Sequence, residues 1–141
     1  DYLNEYYFHT MHHEFAHILH QTKPYSSDFE MISGTEYVKD TWNDAFKSDA
    51  DAQQHGFITP YAASEANEDF VELLSTYITN TPKFWSDMLK TAGKDGSAII
   101  EQKFDIVYNY MKNTWGIDLN DLRDVILKRQ GEIDQLDLDN L

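Results

Sequence analysis

The run His13-Glu14-Phe15-Ala16-His17 places two imidazoles four residues apart, with a carboxylate beside the first. On an α-helix, at about 100° per residue, the two histidines lie about 40° apart in azimuth and one turn apart along the axis. Both rings can therefore reach one cation. Glu14 stands about 100° round from His13, close enough to meet a metal-held water without being a ligand. This is hydrolytic chemistry. Zinc lowers the pKa of a water it holds towards ~7, and the carboxylate accepts the proton as hydroxide attacks a carbonyl.

Two imidazoles do not complete a catalytic zinc site. The chain has no cysteine, which removes disulfides, thiolate zinc sites and Cys nucleophiles together. The metzincin pattern would need Gly at position 20 and His at position 23, where His20 and Lys23 stand. The remaining source is a carboxylate on a second helix. Glu68 and Glu72, four apart in Asn67-Glu68-Asp69-Phe70-Val71-Glu72, share one face of such a helix. Glu68 is the expected ligand of a single zinc ion per chain, with Asp69 and Glu65 as alternatives. Glu72, one turn on, is placed to accept the free N–H of a ligand histidine and hold its tautomer. The competing explanation is a solvated acidic face, common in a chain this acidic.

Other residues carry less. His9 and His20 flank the motif on nearly the same face and are expected to line the cleft or bond backbone. His12 points away. His55 lies in a loop from which it could enter the site as a second donor. Trp42, Trp85 and Trp115 sit in amphipathic stripes and read as core. Ser75 and Thr76 lack an accompanying base and are not nucleophiles.

The elements that must position these groups read as helices. Leu3, Tyr6, Tyr7, Met11, Phe15, Ile18 and Leu19 recur at intervals of three and four, predicting one helix over residues 2–21, stopped by Lys23-Pro24. Residues 25–34 read as loop, 36–47 as a short helix, and 49–60 as a polar loop with room for one helical turn. Residues 64–79 are strongly helical, with Ser64 as a candidate N-cap. Thr81-Pro82 opens a helix to about residue 91, by a cap followed by Pro at the first helical position. Residues 93–96 read as a turn, 97–115 and 120–130 as helices, and 131–141 as a surface tail or docked turn. A lone short strand near Phe57 or Ile99 stays open. The fold class is mainly α, as one domain over residues 1–141.

Bulk composition bounds the partners. The chain has 141 residues, 41% hydrophobic and 14% aromatic, a globular composition. Its 11 Lys plus Arg against 25 Asp plus Glu give a net charge of −14, which argues against nucleic acid and against anionic membrane surfaces. No apolar run reaches the roughly 20 residues of a membrane span.

A helix bearing HExxH followed by a Glu-x-x-x-Glu helix resembles the gluzincin clan, and specifically its anthrax-lethal-factor-like branch. In that branch a Tyr stands seven residues before the ligand Glu, and Tyr61 occupies that position. The resemblance implies that its hydroxyl donates to the oxyanion of the tetrahedral intermediate. Spacing alone does not single it out among nine tyrosines. The wider pattern, HHEFAHILHQ followed by an ANEDFVE helix over roughly residues 5–80, is similar to the zinc metallopeptidases of Bacteroidota described as substrate-import-associated lipoproteins. That likeness implies a cell-envelope or extracellular location beside an outer-membrane uptake system. It also implies a helical, zincin-like catalytic lobe, the C-terminal catalytic region of such an enzyme. Zincins place a small sheet before the HExxH helix, and here the helical pattern begins at once, so that sheet is expected to lie outside the chain.

Three functions compete on these residues. The first is a zinc peptidase acting on peptides or proteins, with Glu14 as general base and Tyr61 on the oxyanion. The second is a catalytically idle metal-binding module assisting nutrient capture at the cell surface. The third is a structural helical domain carrying the motif by coincidence.

Overall fold

The computed structural model describes the backbone of residues 9–17 and 27–139, with side chains through residue 132. All regular elements in these segments are helical, and among the described residues there is no strand. Ile99 lies in a helix and Phe57 in a loop. Helix α1 covers residues 9–17. The remainder of the predicted helix, with His20 and the Lys23-Pro24 stop, lies outside the described residues. Next come α2 (Asp28–Ser33), 3₁₀ turns at Gly34–Glu36 and Lys39–Thr41, α3 (Trp42–Ala45) and α4 (Asp49–Gln54). A 3₁₀ turn at Tyr61–Ala63 leads into α5 (Ala66–Thr79), followed by α6 (Pro82–Trp115) and α7 (Leu119–Asp139).

Helix α5 is the centre. Every residue from Asp69 to Thr79 is buried, so the helix is covered on all sides. Phe70, Val71, Leu73 and Leu74 join Ile100, Val107 and Met111 of α6 and Leu119 and Ile126 of α7 in one apolar cluster. Phe29 of α2 meets Phe70 edge-on, ring centres 5.3 Å apart. Arg123 of α7 ties the far end of α5. Its Nε donates to the Tyr77 carbonyl at 2.9 Å, and its guanidinium lies 3.7 Å from the centre of the Tyr77 ring.

A buried ion pair fixes the near end. Lys103 Nζ lies 2.8 Å from Asp69 Oδ2 and donates to the Gly56 carbonyl at 2.8 Å, while Tyr37 donates to the same Asp69 oxygen at 2.7 Å. Both charged side chains are fully enclosed. Burial pushes the Asp69 carboxyl up and the Lys103 ammonium down, each against the pull of the other. Tyr37 and Lys103, from two separate stretches of chain, thus meet at Asp69 of α5, next to Glu68, and Lys103 ties in a third stretch at Gly56.

The opening of α6 follows its sequence signal. Thr81 Oγ1 accepts from the Phe84 N–H at 3.1 Å, and Pro82 takes the first helical position. The expected turn over 93–96 is instead a kink at one residue. Gly93, at φ 75° and ψ −175°, interrupts the helix, and Gly96 is already helical again. Gly96 serves a different need. A Cβ there would collide with the Gln53 carbonyl and the Gln54 Cα, so its absence lets α4 lie directly on α6.

Five further sequence expectations change. The 25–34 loop contains α2, and the 49–60 loop contains α4, capped by Ser48, whose side chain accepts from Asp51 N–H at 3.1 Å. The 36–47 helix breaks into a 3₁₀ turn and the single turn α3. Ser64 is not the N-cap of α5; Glu65 holds that place, without a side-chain cap. The 131–141 tail is helical to Asp139, because α7 continues past Gly131.

Candidate metal centre

The histidines of α1 face the first turns of α5. His13 Nε2 lies 3.1 Å from Glu68 Oε2, His17 Nε2 lies 3.0 Å from Glu68 Oε1, and the two Nε2 atoms are 3.2 Å apart. Ligands held by ~2.05 Å bonds at the corners of a tetrahedron stand about 3.3 Å from one another. The three groups therefore have the spacing and chemistry of a His₂Glu cation site. They are also sheltered, with side-chain exposures of 12%, 17% and 12% for His13, His17 and Glu68.

Glu72 sits behind this cluster. Its Oε2 is 3.1 Å from His13 Nδ1 and 3.1 Å from His9 Nε2, and its Oε1 accepts from Thr59 Oγ1 at 3.1 Å. With Nδ1–H donating to Glu72, His13 presents a bare Nε2 towards Glu68 and His17. Burial alone would push the Glu72 carboxyl up, but the hydrogen bonds from His13 and His9 bring it down to about 2. Correspondingly, His13 is raised, first by its hydrogen bond to Glu72 and then by the charges of Glu72, Glu68 and Glu14.

His9 is expected from sequence to line the cleft or bond backbone. Its ring faces the site and bonds side chains there, reaching Glu72 and, through Nδ1, Thr79 Oγ1 at 3.4 Å. A second trio, His9, His13 and Glu72, gathers in the same way. Thr59 is the residue of this network that sequence reasoning missed, because it belongs to no spacing pattern, whereas His9 lies one turn before His13 on the expected face. Only the folded chain brings both to Glu72.

Glu14 is exposed on α1. Tyr61, from the 3₁₀ turn before α5, stacks near His13 with ring centres 6.2 Å apart and planes 29° apart. Its hydroxyl is pushed up by burial and then by the charge and hydrogen bond of Glu68, so it stays protonated and can donate. Trp42 braces Tyr61 edge-on at 5.1 Å and is only half-buried, so it supports this ring rather than filling the core. Trp85 and Trp115 do pack against the core.

The alternatives to Glu68 do not join the cluster. Asp69 is held by Lys103 and Tyr37, and Glu65 is exposed. His55 is bound locally, its Nδ1 2.9 Å from the Asp51 carbonyl and its ring against Phe46. That is a helix-end contact, so the second-donor expectation has no support. His12 lines an apolar groove on the other side of α1 with Met11 and Phe15.

Residues 1–120 match the model of a family described as "Putative zinc-binding metallo-peptidase". The chain is also similar to the crystal structure of a "putative zinc-binding metallo-peptidase" from Bacteroides caccae, at 45% identity and a TM-score of 0.89. The match covers 99% of this chain and 52% of that one, so the chain spans about half the length of that relative. No curated protein matches.

Proposed function

The chain belongs to the Putative zinc-binding metallo-peptidase family, and from that membership we propose that it is the catalytic region of a peptidase holding one zinc ion on His13, His17 and Glu68. The observation that carries this reading is the meeting of two imidazole nitrogens and a carboxylate within 3.0 to 3.2 Å of one another. When bound, zinc supplies Lewis acidity at a position sheltered from bulk solvent.

The chain's own residues do the rest. Glu14 lies one residue after the first ligand and takes the proton of the attacking water before passing it to the leaving amine. Tyr61 keeps its proton and donates to the oxygen on which negative charge develops. Glu72 holds His13 in the tautomer whose Nε2 is bare. The substrate class is peptide or protein.

The test compares zinc content and hydrolysis of a mixed peptide library in three proteins. Wild type should hold one zinc per chain. Glu14→Gln should keep the metal while hydrolysis falls about 10²- to 10⁴-fold. Glu68→Ala should bind zinc more than about tenfold more weakly. Unchanged affinity in Glu68→Ala would remove it as a ligand. Zinc binding by wild type without any hydrolysis would favour a metal-holding module that does no chemistry.

A further inference from the structure

We propose that Asn67 is a positioning residue for His17, fixing the tautomer of the second histidine as Glu72 fixes that of the first. The inference rests on the proposed zinc site and concerns a residue to which the motif assigns nothing. Asn67 Nδ2 lies 3.3 Å from His17 Nδ1, the ring nitrogen that faces away from Glu68. The other end of the same amide, Oδ1, is buried with no hydrogen-bond partner.

These two facts share one explanation. An amide's oxygen and nitrogen have nearly the same shape and exchange places by a half-turn of the terminal torsion. With Nδ2 towards the ring, His17 Nδ1 must be an acceptor, its proton sits on Nε2, and a buried carbonyl is left without a donor. Leaving such a group without a donor is unfavourable, because it has lost its water and gained nothing in return. After the half-turn, Oδ1 accepts from His17 Nδ1–H, the orphaned acceptor is satisfied, and Nε2 is bare. A bare Nε2 is the form a cation requires. The first turns of α5 then supply the carboxylate ligand Glu68 and both orienting groups, Asn67 and Glu72.

Three proteins and two readouts test this. Zinc affinity, measured by competition with a chelator, should fall about 10- to 100-fold in Asn67→Ala. Asn67→Asp, which keeps an acceptor at the same place, should stay within about threefold of wild type. Nitrogen-15 NMR of the wild-type histidine rings, recorded without metal, should give a protonated Nδ1 and a bare Nε2 for His17. That reading does not depend on zinc, so a wild-type protein that fails to bind zinc overturns the metal site while Asn67 is still decided by the ring. A protonated Nε2 at His17 overturns the proposal, as does wild-type affinity in Asn67→Ala. Equal weakening in the alanine and aspartate variants also overturns it, because a merely structural asparagine would not be rescued by a retained acceptor.

Discussion

Helices α1 and α5 meet across the candidate site but are held in opposite ways. α5 is buried over its last eleven residues and packed by α2, α6 and α7, so the direction of Glu68 is set by the core of the molecule. α1 contributes Ala16 to that core, while Met11 and Phe15 are 55% and 54% exposed. Among the described residues its hydrogen bonds to α5 run from His9, His13 and His17 to Thr79, Glu72, Glu68 and Asn67. Among the described residues, one half of the site is thus built by packing, the other chiefly by the same groups that would hold the metal. Chemistry and anchorage coincide on α1, and they are separate on α5.

Breaking the packed half should have the largest effect. Lys103→Ala leaves the Asp69 carboxylate enclosed without its cation, and stability measured by denaturant unfolding should fall by about 3–5 kcal/mol. Zinc affinity should fall with it, because Asp69 adjoins Glu68. Breaking the polar half should look different. Glu72→Ala removes the acceptor shared by His9 and His13, and zinc binding should weaken about 10- to 100-fold. Amide exchange should accelerate over residues 9–17 and stay unchanged in α5. Stripping zinc from wild type should give the same pattern of exchange, confined to α1, in a weaker form. The smallest effect serves as the control. Thr81→Ala removes the cap of α6, far from the polar network, and should cost about 1 kcal/mol of stability with zinc affinity unchanged. If Glu72→Ala instead loosened both helices equally, the contrast between them would be lost.

Most of this contrast is readable in advance at the level of residue pairs. The spacing of His13 and His17 and of Glu68 and Glu72 follows from helical geometry alone, so the expectation that they share a region needs only two helices and a face each. Thr81-Pro82 likewise acts within one turn. What the linear pattern hides is set by tertiary contact. Thr59 and Asn67 gain their roles from groups 13 and 50 positions away, and no local rule marks them. α2 and α4 escape because their apolar content is too sparse to show a period, although Ser48 with Asp51 was a visible cap. Residues 93–96 mislead because two glycines close together imitate a turn. In the folded chain one bends the backbone and the other yields space to α4.

Gly96 and Lys103 are seven positions apart, about two helical turns, so both look out from the same side of α6 beyond its bend. Gly96 is pressed on Gln53 and Lys103 reaches Asp69 and the Gly56 carbonyl. Adding or removing one residue between them would rotate everything downstream by about 100° and swing the lysine off its carboxylate. The interval from 96 to 103 therefore behaves as a ruler of fixed length, set by what each of its two ends must touch.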